Sequence, residues 1–402
     1  MDLVPDIFAE KRHLGALGER AWKVLAIVGG VAVLASVALA AASPDGWRRF
    51  LFAYLLNFAF VLSLALGSLY FVLLHHLTHS GWSVVVRRVG EAVSATFPVL
   101  AVLFLPLLFG LHEIYPWAQA GFLASHQAIQ AKSAYLNVPF FVVRWVVYFA
   151  VWSLAARYYF RRSVLQDSSG DIGLTIQMER RAAVTMVLFG ITLTFAAIDL
   201  VMSLEPGWYS TIFGVYYYAG SVVGMYALVT ILVFCLQRSG FLRSAITVEH
   251  YHDLGKLLFG FVIFWAYIGF SQYMLIWYAN IPEETTWLAR RQTNGWGWVG
   301  LVLVFGHFLV PFVALLSRGP KRRPRLLAAV GVWMLVMHWV DVFWMVAPEG
   351  SPGSALPHLV DLTLLVGLGA WFLAAAAFAV RGRSLVPERD PRLPESLAFE
   401  NA

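Results

Sequence analysis

Hydrophobic residues form long runs along this chain, separated by short polar stretches. A run of about 20 apolar residues is long enough to cross a bilayer as an α-helix. Pro98 and Pro106 interrupt the third run, and we expect kinks there, because neighbouring helices can satisfy the freed backbone groups. The pattern predicts ten membrane helices, at residues 22–42, 51–74, 92–111, 138–160, 182–203, 212–237, 254–280, 296–317, 326–346 and 358–380.

The composition agrees with that pattern. Of the 402 residues 60% are hydrophobic and 13% are charged, and the mean hydropathy is +0.70. Soluble proteins have about 25% charged residues, so we predict an all-α integral membrane protein. The single cysteine, Cys235, excludes a disulfide framework, a four-cysteine zinc site, an iron–sulfur cluster and CxxCH haem attachment on this chain.

Basic residues set the predicted orientation. The net charge of +6 does not indicate nucleic acid, because the basic residues lie beside apolar runs. With the N-terminus in the cytoplasm, the outer connections carry only a few of the 29 lysines and arginines, namely Arg48, Arg49, Lys132, Arg290 and Arg291. An even number of helices then places both termini in the cytoplasm.

The predicted domain organisation is a cytoplasmic N-terminal segment 1–21, a membrane domain 22–380 and a cytoplasmic tail 381–402. The tail sequence VPERDPRLPESLAFENA is polar and proline-spaced, which predicts a flexible end.

An internal repeat divides the membrane domain. DLVMSLEP ends the fifth helix and DVFWMVAP ends the ninth, and each has an aspartate, Asp199 or Asp341, seven residues before a proline. The copies stand four helices apart, so the repeats run parallel. This spacing predicts two four-helix bundles, helices 2–5 and 6–9, flanked by helices 1 and 10.

Ionisable residues at membrane depth are rare and usually functional or paired. The candidates on the inner side are His75, His76, His79, Glu91, Glu249, His250, His252 and Asp253. Those on the outer side are Arg144, Asp199, Asp341 and Asp361, and those near the middle are His307 and His338. The loop acids Glu205, Glu283 and Glu284 are predicted to be solvated.

The histidines of the stretch HHLTHSGWSVVVRRVGE, residues 75–91, raise the question of a ligand site. His75 and His79 are four residues apart and are expected to share a helix face. A membrane haem usually takes its histidines from different helices, and zinc needs further ligands that are not evident. Two interpretations stay open: a proton acceptor, or a polar helix end that faces water.

The other candidates have two interpretations each. Arg144 and Asp199 can form a buried pair that braces the first bundle or that takes part in proton transfer. His338 and Asp341, one turn apart in the ninth helix, present the same choice, and His307 can bond a backbone carbonyl. The outer loop 279–298 can dock a partner or serve as a plain connection.

Several segments carry a family resemblance, namely HHLTHSGWSVVVRR, YLNVPFFVVR, DLVMSLEPGWYSTIFGVYYYAGS and HDLGKLLFGFVIFWAYIGFSQYMLIWYANIPEETTW. They resemble the F subunit of bacterial alternative complex III, in the polysulfide reductase NrfD-like membrane family. The resemblance covers about residues 50–346, and the segment 252–287 is its most specific part.

The resemblance implies a respiratory complex in the bacterial inner membrane that oxidises menaquinol at the outer side. Its electrons pass through iron–sulfur and c-haem groups to cytochrome c or a terminal oxidase. The expected partners are a paralogous NrfD-like quinol-site subunit, an iron–sulfur protein and a multi-haem c cytochrome. They hold the menaquinone, haem c and iron–sulfur clusters, while this chain has no catalytic residue, cofactor or metal and is proposed to hold proton-conducting half-channels.

Carried over by position, the half-channels would have an inner mouth at His75, His79, Glu91, His252 and Asp253. The outer half would use Arg144, Asp199, His338 and Asp341. His307, Tyr218 and Tyr273 are the obvious stepping stones between them. The alternatives are a scaffold without proton flow, a subunit that itself binds menaquinone near Arg144 and Asp199, a secondary transporter, and a di-haem cytochrome.

Overall fold

The chain folds into helices and their connections. The structure is a computed structural model that describes residues 7–401, with the backbone alone at 127–128. Helices account for 78% of the chain, and the described residues contain no strand. Residues 1–6 of the predicted N-terminal segment and the final residue of the tail lie outside the described residues.

Ten helices within residues 7–401 are long and apolar enough to cross a membrane, as the sequence predicts. The chain is therefore, by length and composition, a multi-pass membrane protein. The helices are α1 (Gly15–Ala41), α2 (Gly46–Leu77), α3 (Val84–Phe109), α4 (Val138–Ser169), α5 (Ile172–Leu204), α6 (Phe213–Arg238), α7 (Val248–Ala279), α8 (Trp296–Leu316), α9 (Pro324–Gly350) and α10 (Leu359–Ala379).

The prolines of α3 act as predicted. The helix consists of the segments Val84–Ser94, Phe97–Leu103 and Leu105–Phe109. Pro98 and Pro106 each lie in the first turn of a new segment, where the missing N–H group has no helical partner to lose. The expectation of kinks in place of a break in the span is confirmed.

The core of the helix array lies around α2 and α6. In the most apolar window of α2 94% of the residues are buried, compared with 17% in α1. Helix α2 contacts α3, α5, α6, α9 and α10, whereas α1 packs mainly on α10. A Cβ atom at Gly67 would lie 2.3 Å from the carbonyl oxygen of Ser221, so the close approach of α2 and α6 requires glycine there.

The two terminal segments meet on one face of the helix array. Backbone bridging joins His13 to Ser384, and the Leu385 N–H donates to the Arg12 carbonyl at 2.7 Å. The Leu242 N–H donates to the Lys11 carbonyl at 3.3 Å. We call this side, with residues 7–13, 239–247 and 384–401, the tail face.

The tail is folded, and the prediction of a flexible end is wrong for its described residues. Leu393–Leu397 forms a short helix, and Val386 and Ser396 are fully buried. His250 Nε2 donates to the Ser396 carbonyl at 3.0 Å, and Arg87 donates to Asp390. The tail is ordered because its scattered apolar residues are buried while its polar groups find partners on α3 and α7.

Candidate functional site

An irregular turn in α8 positions the first candidate residue. His307 lies in a π-helical segment, Leu303–Leu309, and π turns are rare and frequent at functional sites. Pro311 lacks the N–H group that would bond the His307 carbonyl, which favours the wider turn. The His307 ring is fully buried and stacks on Trp265 of α7, with centroids 3.8 Å apart.

Helix α9 adds an imidazole and a carboxyl group to this position. His338 Nδ1 lies 4.0 Å from Asp341 Oδ2, and both side chains are fully buried. Asp341 accepts hydrogen bonds from the Tyr216 hydroxyl and, at 3.1 Å, from Trp265 Nε1. His338 Nε2 is 2.8 Å from Ser63 Oγ. We call His307, His338 and Asp341, with these three partners, the central cluster.

Two glycines on α6 make room for His338. A Cβ atom at Gly220 would lie 3.0 Å from His338 Cε1, and one at Gly224 would lie 2.7 Å from His338 Cδ2. Small residues four positions apart let membrane helices approach closely. The spacing of these glycines is a sequence signal from which the site could have been predicted.

Three ring nitrogens of the central cluster have no hydrogen-bond partner within the described residues: both nitrogens of His307 and Nδ1 of His338. A buried polar group without a partner costs about 1–3 kcal/mol. His307, His338 and Asp341 each place one ligand atom within 4.8 Å of the others. This geometry can pass a proton through water or hold a divalent ion; the absence of a metal stays a prediction.

The predicted pair of Arg144 and Asp199 is present as an ion pair with two hydrogen bonds. Arg144 Nε donates to Asp199 Oδ2 at 2.7 Å and Nη2 donates to Oδ1 at 2.9 Å. The Tyr148 hydroxyl donates to the same carboxylate at 2.9 Å. The guanidinium group also bonds the Tyr135 carbonyl at 2.9 Å, and its carbon lies 3.9 Å from the centroid of the Tyr135 ring. Both groups are therefore fully engaged, with each other and with the two tyrosines.

Glu91, which the sequence assigns to the inner mouth, belongs to a buried ion network. It lies 3.2 Å from Arg87 Nε and 3.1 Å from Arg88 Nε. Arg87 also binds Asp390 of the tail, and Arg88 binds Asp167 at 3.0 Å. Burial opposes ionisation of Asp390, but the charge and hydrogen bond of Arg87 outweigh it and lower the pKa of Asp390. Both arginines are buried.

The histidine stretch divides at the end of α2, and the expectation that His75 and His79 share a helix face is wrong. His75 is buried against Phe71 and Trp82, with ring centroids 4.3 and 5.2 Å away. His79 lies beyond the helix at φ +53°, and its side chain is 57% exposed beside Glu179. His79 alone of the two therefore faces water.

The predicted inner mouth is not one bonded group. His252 and Asp253 lie buried at the start of α7, and Asp253 pairs with Lys256 at 2.5 Å. Within residues 7–401, no hydrogen bond or ion pair links any two members of the predicted set His75, His79, Glu91, His252 and Asp253.

The stepping stones differ from those expected. Tyr273, predicted as a stepping stone, is 44% exposed at the perimeter of the helix array. Tyr218 is partly buried in edge contact with Tyr70, 5.1 Å away. Tyr226, which the sequence analysis missed, is fully buried with an unpartnered hydroxyl. Its ring lies 5.8 Å from Phe71, the residue that contacts His75.

The loop 279–298, predicted to lie on the outer side, packs on the helix ends. Glu205 is 26% exposed and pairs with Arg290 at 2.7 Å, so it is only partly solvated. Burial lowers the pKa of Arg291 to about 10, although Glu349 raises it. The Arg291 guanidinium lies 3.6 Å from the Trp287 centroid.

Comparisons of the sequence with protein-family models and with curated proteins give no match.

Proposed function

We propose that this chain is a membrane subunit of a menaquinol:cytochrome c oxidoreductase of the alternative complex III type, and that it moves protons without a redox centre of its own. The central cluster carries the proposal, because it holds a buried carboxyl group and two imidazoles that form no ion pair with any lysine or arginine in the described residues. Ionisable groups inside a membrane mark proton relays.

The helix arrangement that we propose is two four-helix bundles, α2–α5 and α6–α9, flanked by α1 and α10. Contacts between successive helices support it, since each set closes on itself, α5 against α2 and α9 against α6. The basic residues support a cytoplasmic location for the tail face, in the inner membrane of a bacterium.

Proton transfer in this proposal takes place at Asp341. The 4.0 Å between Asp341 and His338 exceeds hydrogen-bond distance, so the proton crosses through one water molecule or after a small side-chain rotation. Tyr226, Tyr218 and His75 lead toward the tail face. The Arg144–Asp199 pair acts as a brace. The partner subunits carry the menaquinone, haem c and iron–sulfur clusters, and electrons do not pass through this chain.

The secondary-transporter alternative is not favoured. Such proteins have interrupted helices at matching positions of their two halves. The repeat spacing makes α7 the counterpart of the kinked α3, and α7 is one continuous helix, Val248–Ala279.

The decisive experiment measures protons released per electron with the purified complex in liposomes. Asp341→Asn should lower this ratio while menaquinol oxidation continues, because the amide cannot exchange a proton. The exposed Glu283→Gln serves as the control. An unchanged ratio in Asp341→Asn would contradict proton transfer by this chain. A scaffold role would then be the remaining interpretation.

Membership of a complex has a separate test. Purification in mild detergent should recover this chain with iron–sulfur and multi-haem cytochrome subunits. Recovery of a monodisperse single subunit would contradict the proposal.

A further inference from the structure

A groove of about 500 Å³ runs between α1, α3, α4 and α10. This volume is within the range of sites that hold a small molecule or part of a lipid. Its lining is mostly apolar and includes several alanines, which leave space between the helices. The residues that define it are Trp22, Pro98, Ser153, Ala156, Trp371 and Ala375, with arginines at one end. We call it the arginine groove.

Three arginines line that end: Arg157 and Arg161, one turn apart on α4, and Arg383, just after α10. Their side chains are exposed. None of them forms an ion pair within residues 7–401, and the acids Glu19 and Asp167 pair with other arginines. Burial, together with the charges of Arg88 and Arg161, lowers the pKa of Arg383. The end of the groove therefore concentrates positive charge without a counter-charge.

The groove has the depth of one leaflet. Arg161 and Arg383 lie toward the tail face, and Ser153 and Pro98 line the groove toward the middle of the membrane. From Arg161 to Ser153 the helix rises about 12 Å, and half of the hydrocarbon core is about 15 Å. The positive end thus lies at the level of lipid phosphates, and the apolar part lies alongside acyl chains.

We propose that the arginine groove binds an anionic phospholipid, with its phosphate at Arg157, Arg161 and Arg383 and one acyl chain along the apolar part. Guanidinium groups bind phosphate through paired hydrogen bonds, and basic pockets between membrane helices hold anionic headgroups. A zwitterionic lipid would bring its own cation toward three arginines. A partner helix would supply no phosphate to neutralise them. The inference does not depend on the proposed function.

The test is native mass spectrometry of the purified protein, with its partners, released from nanodiscs. The discs contain phosphatidylcholine with a minor fraction of phosphatidylglycerol or diphosphatidylglycerol. The chain should retain the anionic lipids in preference to phosphatidylcholine. Each arginine-to-glutamine change in the groove should weaken retention about fivefold, and the triple variant Arg157→Gln, Arg161→Gln, Arg383→Gln about 100-fold. Arg243→Gln, an exposed arginine of the tail face away from the groove, should have no effect.

A second variant tests the apolar part with every charge kept. Ser153→Phe should fill the groove and reduce retention at least fivefold, even if the triple variant does not fold. Equal retention of phosphatidylcholine and phosphatidylglycerol would overturn the proposal. So would full retention by Ser153→Phe.

Discussion

Asp199 and Asp341 occupy the same position in two similar octapeptides, but the structure gives them different surroundings. Asp199 receives a two-point ion pair from Arg144 and a hydrogen bond from Tyr148. Asp341 receives only neutral donors, Tyr216 and Trp265, beside His338. One carboxyl group is held in a closed pair, whereas the other lies among groups that can exchange protons. A shared sequence pattern therefore does not give the same surroundings.

The difference comes from the neighbouring helices. Helix α4 brings a guanidinium group to Asp199, whereas the π turn of α8 brings the His307 ring, stacked on Trp265, to the Asp341 side. Removing one partner of a buried ion pair leaves an uncompensated charge. If Asp341 loses a proton, its neutral donors Tyr216 and Trp265 can still donate to the carboxylate. Stability and proton transfer should therefore respond in opposite ways at the two sites.

The largest expected effect is on stability. Asp199→Asn should lower the free energy of unfolding by about 3–5 kcal/mol, because the Arg144 guanidinium stays buried without its anion. Asp341→Asn should lower the free energy of unfolding by only about 0.5–1.5 kcal/mol, because the Tyr216 hydroxyl can turn to accept a hydrogen bond from the amide. Equilibrium unfolding in mixed detergent micelles measures both. Equal losses would contradict the distinction between the two sites.

The brace can also be replaced as a unit. The double variant Arg144→Met, Asp199→Leu should come within about 1 kcal/mol of the natural chain, because apolar side chains often substitute for a buried ion pair. It should release the natural number of protons per electron. A reduced ratio in this variant would instead assign Asp199 to proton transfer.

A loss smaller than that of Asp199→Asn is expected at the glycine that accommodates His338. Gly224→Ala should destabilise the protein by about 1–3 kcal/mol, because the added Cβ overpacks a filled contact. Gly260→Ala, on α7 with no atom within 4 Å of the added Cβ, is the matched control and should be neutral or stabilising. If the two alanines behave alike in thermal unfolding, the close approach of α6 to His338 is not a constraint.

The smallest effect extends the comparison to Asp390. Its pKa is lowered in the folded state, so its stabilisation of the tail is present above the ordinary value of about 3.9. That stabilisation is lost as the pH falls through the lower folded value. The protection factors of the amides in residues 384–401, relative to intrinsic exchange at the same pH, should therefore fall below pH of about 3.9. Asp390→Asn should already show faster exchange at neutral pH; slow exchange there would indicate that packing alone holds the tail.

Hydropathy alone predicted the ten spans, because a lipid-facing helix needs an apolar surface wherever it packs. The same reasoning failed at the helix ends of the tail face. Val84–Ser94 of α3 contains Arg87, Arg88 and Glu91. The predicted span 92–111 therefore begins more than one helical turn after the start of α3. Those charges can be buried because they neutralise one another and Asp390 of the distant tail. A hydropathy profile does not detect such pairs.

The sequence by itself determined the number of membrane helices, the kinks of α3 and the identity of the ionisable groups at membrane depth. Only the tertiary structure decided which of these groups meet. Asp341 lies 125 residues from Tyr216 and 76 from Trp265, and these side chains converge because α6, α7 and α9 pack together. A carboxyl group inside a membrane takes its chemistry from the nearest donors and charges, and helix packing chooses those neighbours.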